Sequence, residues 1–159
     1  MNDDLSINLE KHETKNIVDQ HVNGTLTVIW RSWENIIKHE PKMVYVSSVN
    51  PREIKGPHTH TKRNSYFVCI HGKVLFIIQN KNGTYTEIES SHEKPVLVHV
   101  PNNIASAHIN LSNDVSCVLA LADLAWRPND NEMINTIFKD YDWKKWKNND
   151  NFHQHQIFL

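Results

Sequence analysis

The feature that most constrains this chain is its punctuation. Short apolar runs rich in β-branched and aromatic residues recur at about ten-residue spacing, with turn residues between them. The runs fall at residues 26–30, 42–47, 65–70, 74–79, 85–88, 95–100, 104–111 and 115–124. The breaks carry Asn50-Pro51, Gly72, Asn80-Lys81-Asn82-Gly83, Pro101-Asn102-Asn103 and Asn113-Asp114. Such a chain builds an all-β sandwich or barrel, and helical periodicity is hard to find before residue 130. Asn23-Gly24 reads as a hairpin turn, and residues 33–38 as one helical turn. Residues 65–70 and 74–79 read as a hairpin about Gly72. The expected organisation is one domain over residues 1–159. Residues 1–20 form a flexible or strand-exchanging arm. Residues 139–159 form a short helical or irregular tail covering one end.

Composition removes several functions. At 159 residues the chain is long enough for a real core. Its net charge of −1, with both signs interspersed, leaves no basic face for nucleic acid. No apolar run approaches the roughly 20 residues of a membrane span, and Met1-Asn2-Asp3-Asp4 does not open a signal peptide. Cys69 and Cys117 each lie inside an apolar run and read as buried free thiols, as in a reducing cytoplasm.

The chemistry concentrates in Lys55-Gly56-Pro57-His58-Thr59-His60 and its continuation to Tyr66. Side chains at i and i+2 of a strand share a face, so His58 and His60 project side by side into one cavity. Each titrates near neutrality and can serve as base, acid or metal ligand. Lys55 and Arg63 flank the pair and suit an anionic group such as a diphosphate. Tyr66 and Trp126 can stack on a base or sugar face. His99, inside a β-run, reads as structural. A metal site would draw on His58, His60 and His108. The glutamate that would complete such a site a few residues after His-x-His is missing, its nearest counterparts being Asn64 and Tyr66.

Lys55-Gly56-x-His58-x-His60 entering a strand resembles the first motif of cupins, and residues 100–108 (Val-Pro-Asn-Asn-Ile-Ala-Ser-Ala-His) resemble their second. With Asp140-Tyr141-Asp142-Trp143, residues 22–146 resemble the branch of dTDP-4-dehydrorhamnose 3,5-epimerase-like and nucleotide-sugar 3,4-ketoisomerase proteins. The resemblance implies a jelly roll of two antiparallel sheets, in a homodimer exchanging N-terminal strands. It implies a cytoplasmic isomerase without cofactor, acting on a dTDP- or UDP-4-keto-6-deoxy sugar. His58 would remove the proton next to the ketone, His60 assist and Tyr45 supply an acid. Lys55, Arg63, Asn64, Tyr66, Ser106, His108 and Trp126 would line the substrate. The outcome stays open between 3- or 5-epimerisation and a 3,4-keto shift, with a non-catalytic sugar- or metal-binding cupin as the further alternative. The chain departs from the epimerase pattern at four places. Lys55 stands where an arginine precedes Gly-x-His, and Ser106, with His108 two residues on, where the second motif has its histidine. Ser65 or a neighbour stands where a lysine is expected, and Ala125-Trp126 where a tyrosine is expected.

Overall fold

The computed structural model describes residues 5–146; the ends of the expected arm and tail lie outside the described residues. The strands are β1 (Ser6–Asn8), β2 (Lys11–Lys15), β3 (Val22–Thr27), β4 (Met43–Val49), β5 (Ile54–His60) and β6 (Ser65–His71). They continue with β7 (Lys73–Gln79), β8 (Tyr85–Ser91), β9 (Val96–Val100), β10 (Ala105–Asn110), β11 (Ser116–Ala122) and β12 (Met133–Asn135). A 3-10 turn, Trp143–Trp146, follows. Two antiparallel sheets face each other, in the orders β1-β9-β6-β11-β4 and β12-β5-β10-β7-β8. This is the expected jelly roll. Among the described residues no helix is long and apolar enough to cross a membrane.

The core explains why so many runs are apolar without alternation. Between the sheets lie Cys69, Val74, Phe76, Ile78, Val98, Val100 and Val118. The outer faces are covered as well. Tyr66, Val68, Leu97 and Leu121 pack beneath Ile29, Trp30, Ile36 and Ile37. Leu75, Ile77, Ala105, Ala107 and Ile109 pack beneath Phe138, Tyr141, Trp143 and Trp146. A strand buried on both sides loses its period-2 pattern, and every residue of β9 is buried.

Three local expectations are corrected. Residues 65–70 and 74–79 are not a hairpin: β6 pairs with β9 and β11, while β7 pairs with β8 and β10. The chain crosses from one sheet to the other at Gly72, whose φ of 74° and close approach to Ser116 exclude a side chain. A hairpin does form between β2 and β3, but it turns at residues 16–21, and Asn23-Gly24 lies inside β3. Residues 33–38 make turns without a helix, because Ile36 and Ile37 are drawn onto the outer face of β6 and β11. The arm from Leu5 onward is ordered, and β1 pairs with β9 of the same chain.

Inside the barrel His108 stands between Phe67 and Phe76, with ring centroids at 6.3 and 5.4 Å. Burial, reinforced by the nearby Lys55 and His58 charges, lowers its pKa from 6.5 to about 4.

Two measurements test this packing. Phe138→Ala removes the ring that meets Tyr85 at 5.0 Å and Trp143 at 6.2 Å. It should lower the unfolding free energy by about 3 kcal/mol, read from the urea midpoint. For His108, the unfolded chain takes up a proton near pH 6.5 and the folded chain only near pH 4. The stability it supports is therefore complete above about pH 6.5 and is lost as pH falls towards 4. Its ring resonances should stay neutral at pH 5.5, and a midpoint near 6.5 would contradict this burial.

Candidate active site

The site forms where β5 runs along the edge of β10 and receives β12 on its other side. Gly56, at φ 88°, lets the backbones approach: a Cβ there would lie 2.8 Å from the Ser106 carbonyl oxygen. The β5–β10 register shifts between Ser106 and His108, so Ser106 faces His58 and His108 faces Lys55. Opposite, β12 sets Met133 against His60 and Asn135 against His58. The pairing is reinforced by Thr59 Oγ1 to Thr136 Oγ1 at 2.9 Å and by Thr136 N–H donating to the Pro57 carbonyl at 3.0 Å.

The two histidines do share a face, and their partners differ. His58 Nδ1 lies 3.1 Å from Asn135 Oδ1. An amide oxygen only accepts, so with Asn135 turned this way Nδ1 carries a hydrogen. His60 Nδ1 lies 2.7 Å from Glu132 Oε1, which again places the hydrogen on Nδ1. Arg63 Nη2 lies 2.7 Å from His60 Nε2 and 3.1 Å from Nδ1, against the ring and not along either lone pair. Burial, then the Arg63 charge, lower the His60 pKa against the opposing pull of Glu132. His60 is therefore a neutral imidazole around neutral pH.

Glu132 and Arg63 are the charged residues of this cluster, 2 % and 7 % exposed. Glu132 is fixed through its backbone, where its carbonyl accepts from Thr61 N–H at 2.8 Å and Thr61 Oγ1 at 3.1 Å. Across the barrel mouth Tyr45 points inward from β4, with the Arg63 guanidinium 6.0 Å from its ring centroid. Burial raises the Tyr45 pKa further above 10.0, so its hydroxyl stays protonated and able to donate. Lys55 donates to Ser47 Oγ at 2.7 Å, bridging the edges of the two sheets.

His58, His60, Tyr45, Lys55, Arg63, Ser106 and His108 are thus brought to one side of β5 or to the facing wall. Arg63 is turned inward onto His60, so it is no surface ligand for a diphosphate. Asn64 clamps the rim: its backbone N–H and side-chain amide donate to Asp123, and its Oδ1 accepts from Asn102 N–H. Tyr66 faces the other way, stacked on His99 at 4.4 Å and buried in the outer cluster, which corrects its expected place at the substrate. Trp126 is 60 % exposed in the loop after β11 and adds nothing to the hydrogen-bonded cluster.

Glu132 and Asn135 were not among the expected site residues. The one signal for them is a lone acid between the turn-forming Pro128-Asn129-Asp130 and the β-compatible Met133-Ile134. Among the described residues no group of three or more His, Cys, Asp or Glu side chains converges as a metal site requires. The set His58, His60 and His108 does not assemble. Glu132 holds His60 Nδ1, Arg63 lies against the His60 ring, and His108 Nε2 is sealed from solvent.

The sequence matches no curated protein. Among solved structures, the backbone is similar to a dTDP sugar isomerase from Desulfovibrio desulfuricans. The TM-score is 0.72 and the identity 14 %, over 87 % of this chain and 90 % of that one. It is also similar to ChmJ, a 3'-monoepimerase from Streptomyces bikiniensis, with TM-score 0.67 and 16 % identity over 82 % and 67 % of the two chains. CapF, a capsular polysaccharide assembling protein from Staphylococcus aureus, aligns with TM-score 0.57 and 21 % identity. That match covers 61 % of this chain, which spans only 29 % of CapF. These likenesses establish the jelly-roll fold. The family model FdtA, described as WxcM-like, C-terminal, matches residues 7–142, most of the chain's length, and the protein belongs to that family.

Proposed function

We propose that this chain is a metal-independent, epimerase-like isomerase of a nucleotide-linked 4-keto-6-deoxy sugar, acting by proton abstraction next to the ketone. The observation that carries the reading is the pair of imidazoles on one strand face with different partners. His58 presents an open Nε2, and His60 is backed by a buried carboxylate. The dTDP sugar isomerase, the 3'-monoepimerase, and the 3,5-epimerase RmlC from Legionella pneumophila in complex with dTDP-4-keto-L-rhamnose share the fold and support the substrate class. A cytoplasmic homodimer with exchanged N-terminal strands belongs to the same reading.

His58 Nε2 takes the hydrogen at C3. The C3–H electron pair becomes the C3=C4 bond, and the carbonyl pair moves onto O4. The acid then decides the outcome. Return of a proton to C3 from the opposite side, by Tyr45 on the facing sheet, gives the C3 epimer. In the second reading the proton held by His58 goes to C4 and the O3 hydrogen passes to O4 through His60 Nε2. That moves the ketone to C3 and restores both histidines. It is a 3,4-keto shift, and the placement of both bases on one face of β5 favours it over inversion at C5. No electron acceptor is needed in either case.

Incubating the protein with dTDP- or UDP-4-keto-6-deoxyglucose in deuterated water should place deuterium next to the ketone, followed by proton NMR. A new 3-keto signal reports the keto shift and a changed C3 coupling the epimer. His58→Asn should reduce exchange by about 10²-fold or more. Absence of exchange with both sugars would end this reading.

A further inference from the structure

The face of β5 turned away from the histidines carries a second cavity. Thr59 sits between His58 and His60 and points to the opposite side of the strand. In register it lies between Ala105 of β10 and Ile134 of β12. Ala105 belongs to the cluster beneath Phe138, so this row is the outer surface of the sheet. A groove of about 330 Å³ opens there. Thr59 and Ala105 form its floor, and Thr136 stands at one side. The end of β7 and the turn after it, Gln79 to Lys81, line the other side, with Asn103 at the rim.

The walls are held by bonds of their own. Asn80 Nδ2 donates to Thr84 Oγ1 at 2.9 Å and to Thr86 Oγ1 at 3.0 Å, which locks the turn that presents Lys81. Asn103 N–H donates to the His60 carbonyl at 2.7 Å. The groups left over define what fits. The Thr59 and Thr136 hydroxyls bond each other at 2.9 Å. That spends one of their two hydrogens and leaves the other, with lone pairs, for a ligand. Gln79 Nε2 lies 3.5 Å from the Tyr85 hydroxyl, a long contact that a ligand oxygen can replace. Lys81 is the one charged lining residue, and among the described residues no carboxylate lines the groove. Its field is therefore positive and suits an anion such as a phosphate. No aromatic ring of the described residues lines it either, so a nucleobase finds no stacking face. Ile104 and Ala105 offer a small apolar patch that suits the C–H face of a sugar ring. The volume lies at the small end of ligand cavities and holds one hexose ring with its phosphate.

We propose that this groove binds a phosphorylated monosaccharide, with Lys81 on the phosphate and the amides and threonine hydroxyls on the ring. The site is separate from the histidine cluster and does not depend on the reaction proposed above. It lies one residue from that cluster on both strands. Thr59 adjoins His58 and His60, and Thr136 adjoins Asn135, which holds His58. A ligand bridging Thr59 and Thr136 ties β12 to β5.

Isothermal titration calorimetry of the unsubstituted protein with glucose 1-phosphate tests the assignment. One saturable site is expected, with a Kd of about 1 mM or tighter. Inorganic phosphate and glucose each supply part of the contacts, and each should bind at least about tenfold more weakly. Lys81 and Asn103 are both exposed. Lys81→Ala removes the cation and Asn103→Asp sets a carboxylate against the phosphate, and each should weaken binding about tenfold. His58→Asn should leave the affinity within about twofold. Backbone amide signals of Thr59, Gly83 and Thr136 should shift with saturation. Absence of binding up to about 10 mM overturns the proposal. So does equal affinity for inorganic phosphate, which marks an adventitious anion. An affinity unchanged in Lys81→Ala, or lost in His58→Asn, places the ligand elsewhere and overturns it as well. The titration needs no turnover, so a protein that shows no deuterium exchange still decides this site.

Discussion

The pairing of β12 with β5 is the interaction on which the site depends. It spans three residues of β12, Met133–Asn135, and lies at the edge of its sheet, where two free strand edges would otherwise face solvent. Without it Asn135 and Glu132 would not reach the histidines, and Arg63 would be an uncompensated buried cation. Removing one partner of a buried pair leaves the other charge desolvated at a cost of about 3–5 kcal/mol. The short strand is held from outside the barrel. Phe138, Tyr141, Trp143 and Trp146 settle on the outer face of β7 and β10. Tyr141 donates to Glu87 Oε1 at 2.6 Å and accepts from Trp146 Nε1 at 2.9 Å. An aromatic clasp on one face of the sheet thus fixes the electrostatics on the other.

The two histidines begin as chemical equals and are made different by their second nitrogens. A neutral amide on His58 sets its tautomer and adds no charge. A carboxylate on His60 raises its affinity for a proton, while burial and Arg63 reduce it more strongly. With His60 neutral, Glu132 and Arg63 cancel, and the barrel mouth holds a dipole with little net charge. The neutral His60 ring can take a transient proton without first losing one.

The fold was legible in the sequence because turns are local. Asn50-Pro51, Gly72, Asn80 to Gly83 and Pro101 to Asn103 each stop a strand by their own backbone preferences, and β4 to β11 lie close to the apolar runs between them. Partner choice was not legible. A tight Gly-containing turn followed by a second apolar run describes a hairpin and a crossing between sheets equally well. The difference at Gly72 lies in Ser116, more than forty residues away. Tyr66 was misplaced for a related reason. With both faces of β6 buried, hydrophobicity does not say that Ser65 and Phe67 face the cavity while Tyr66 faces His99. Glu132 was invisible because its meaning comes from a contact 72 residues away. His58 and His60 were visible because the strand period alone makes them neighbours.

The departures from the epimerase pattern become consistent once this geometry is known. Ser65 is 1 % exposed, is paired between Val100 and Ala122, and has a buried hydroxyl without a partner. A lysine there would place an ammonium in the barrel wall beside Arg63. The cation arrives instead two residues earlier, from a turn able to reach His60 and Glu132 together. The phenol likewise is not on the loop at residues 125 and 126, which is exposed, but on β4, where burial keeps Tyr45 protonated. The cation now comes from a turn and the acid from another strand, and both remain at the same mouth. What the relocation changes is direction: the cation now touches the second histidine, not open substrate space. Under the function proposed above, a site arranged this way suits movement of the ketone along the ring better than inversion at a distant carbon.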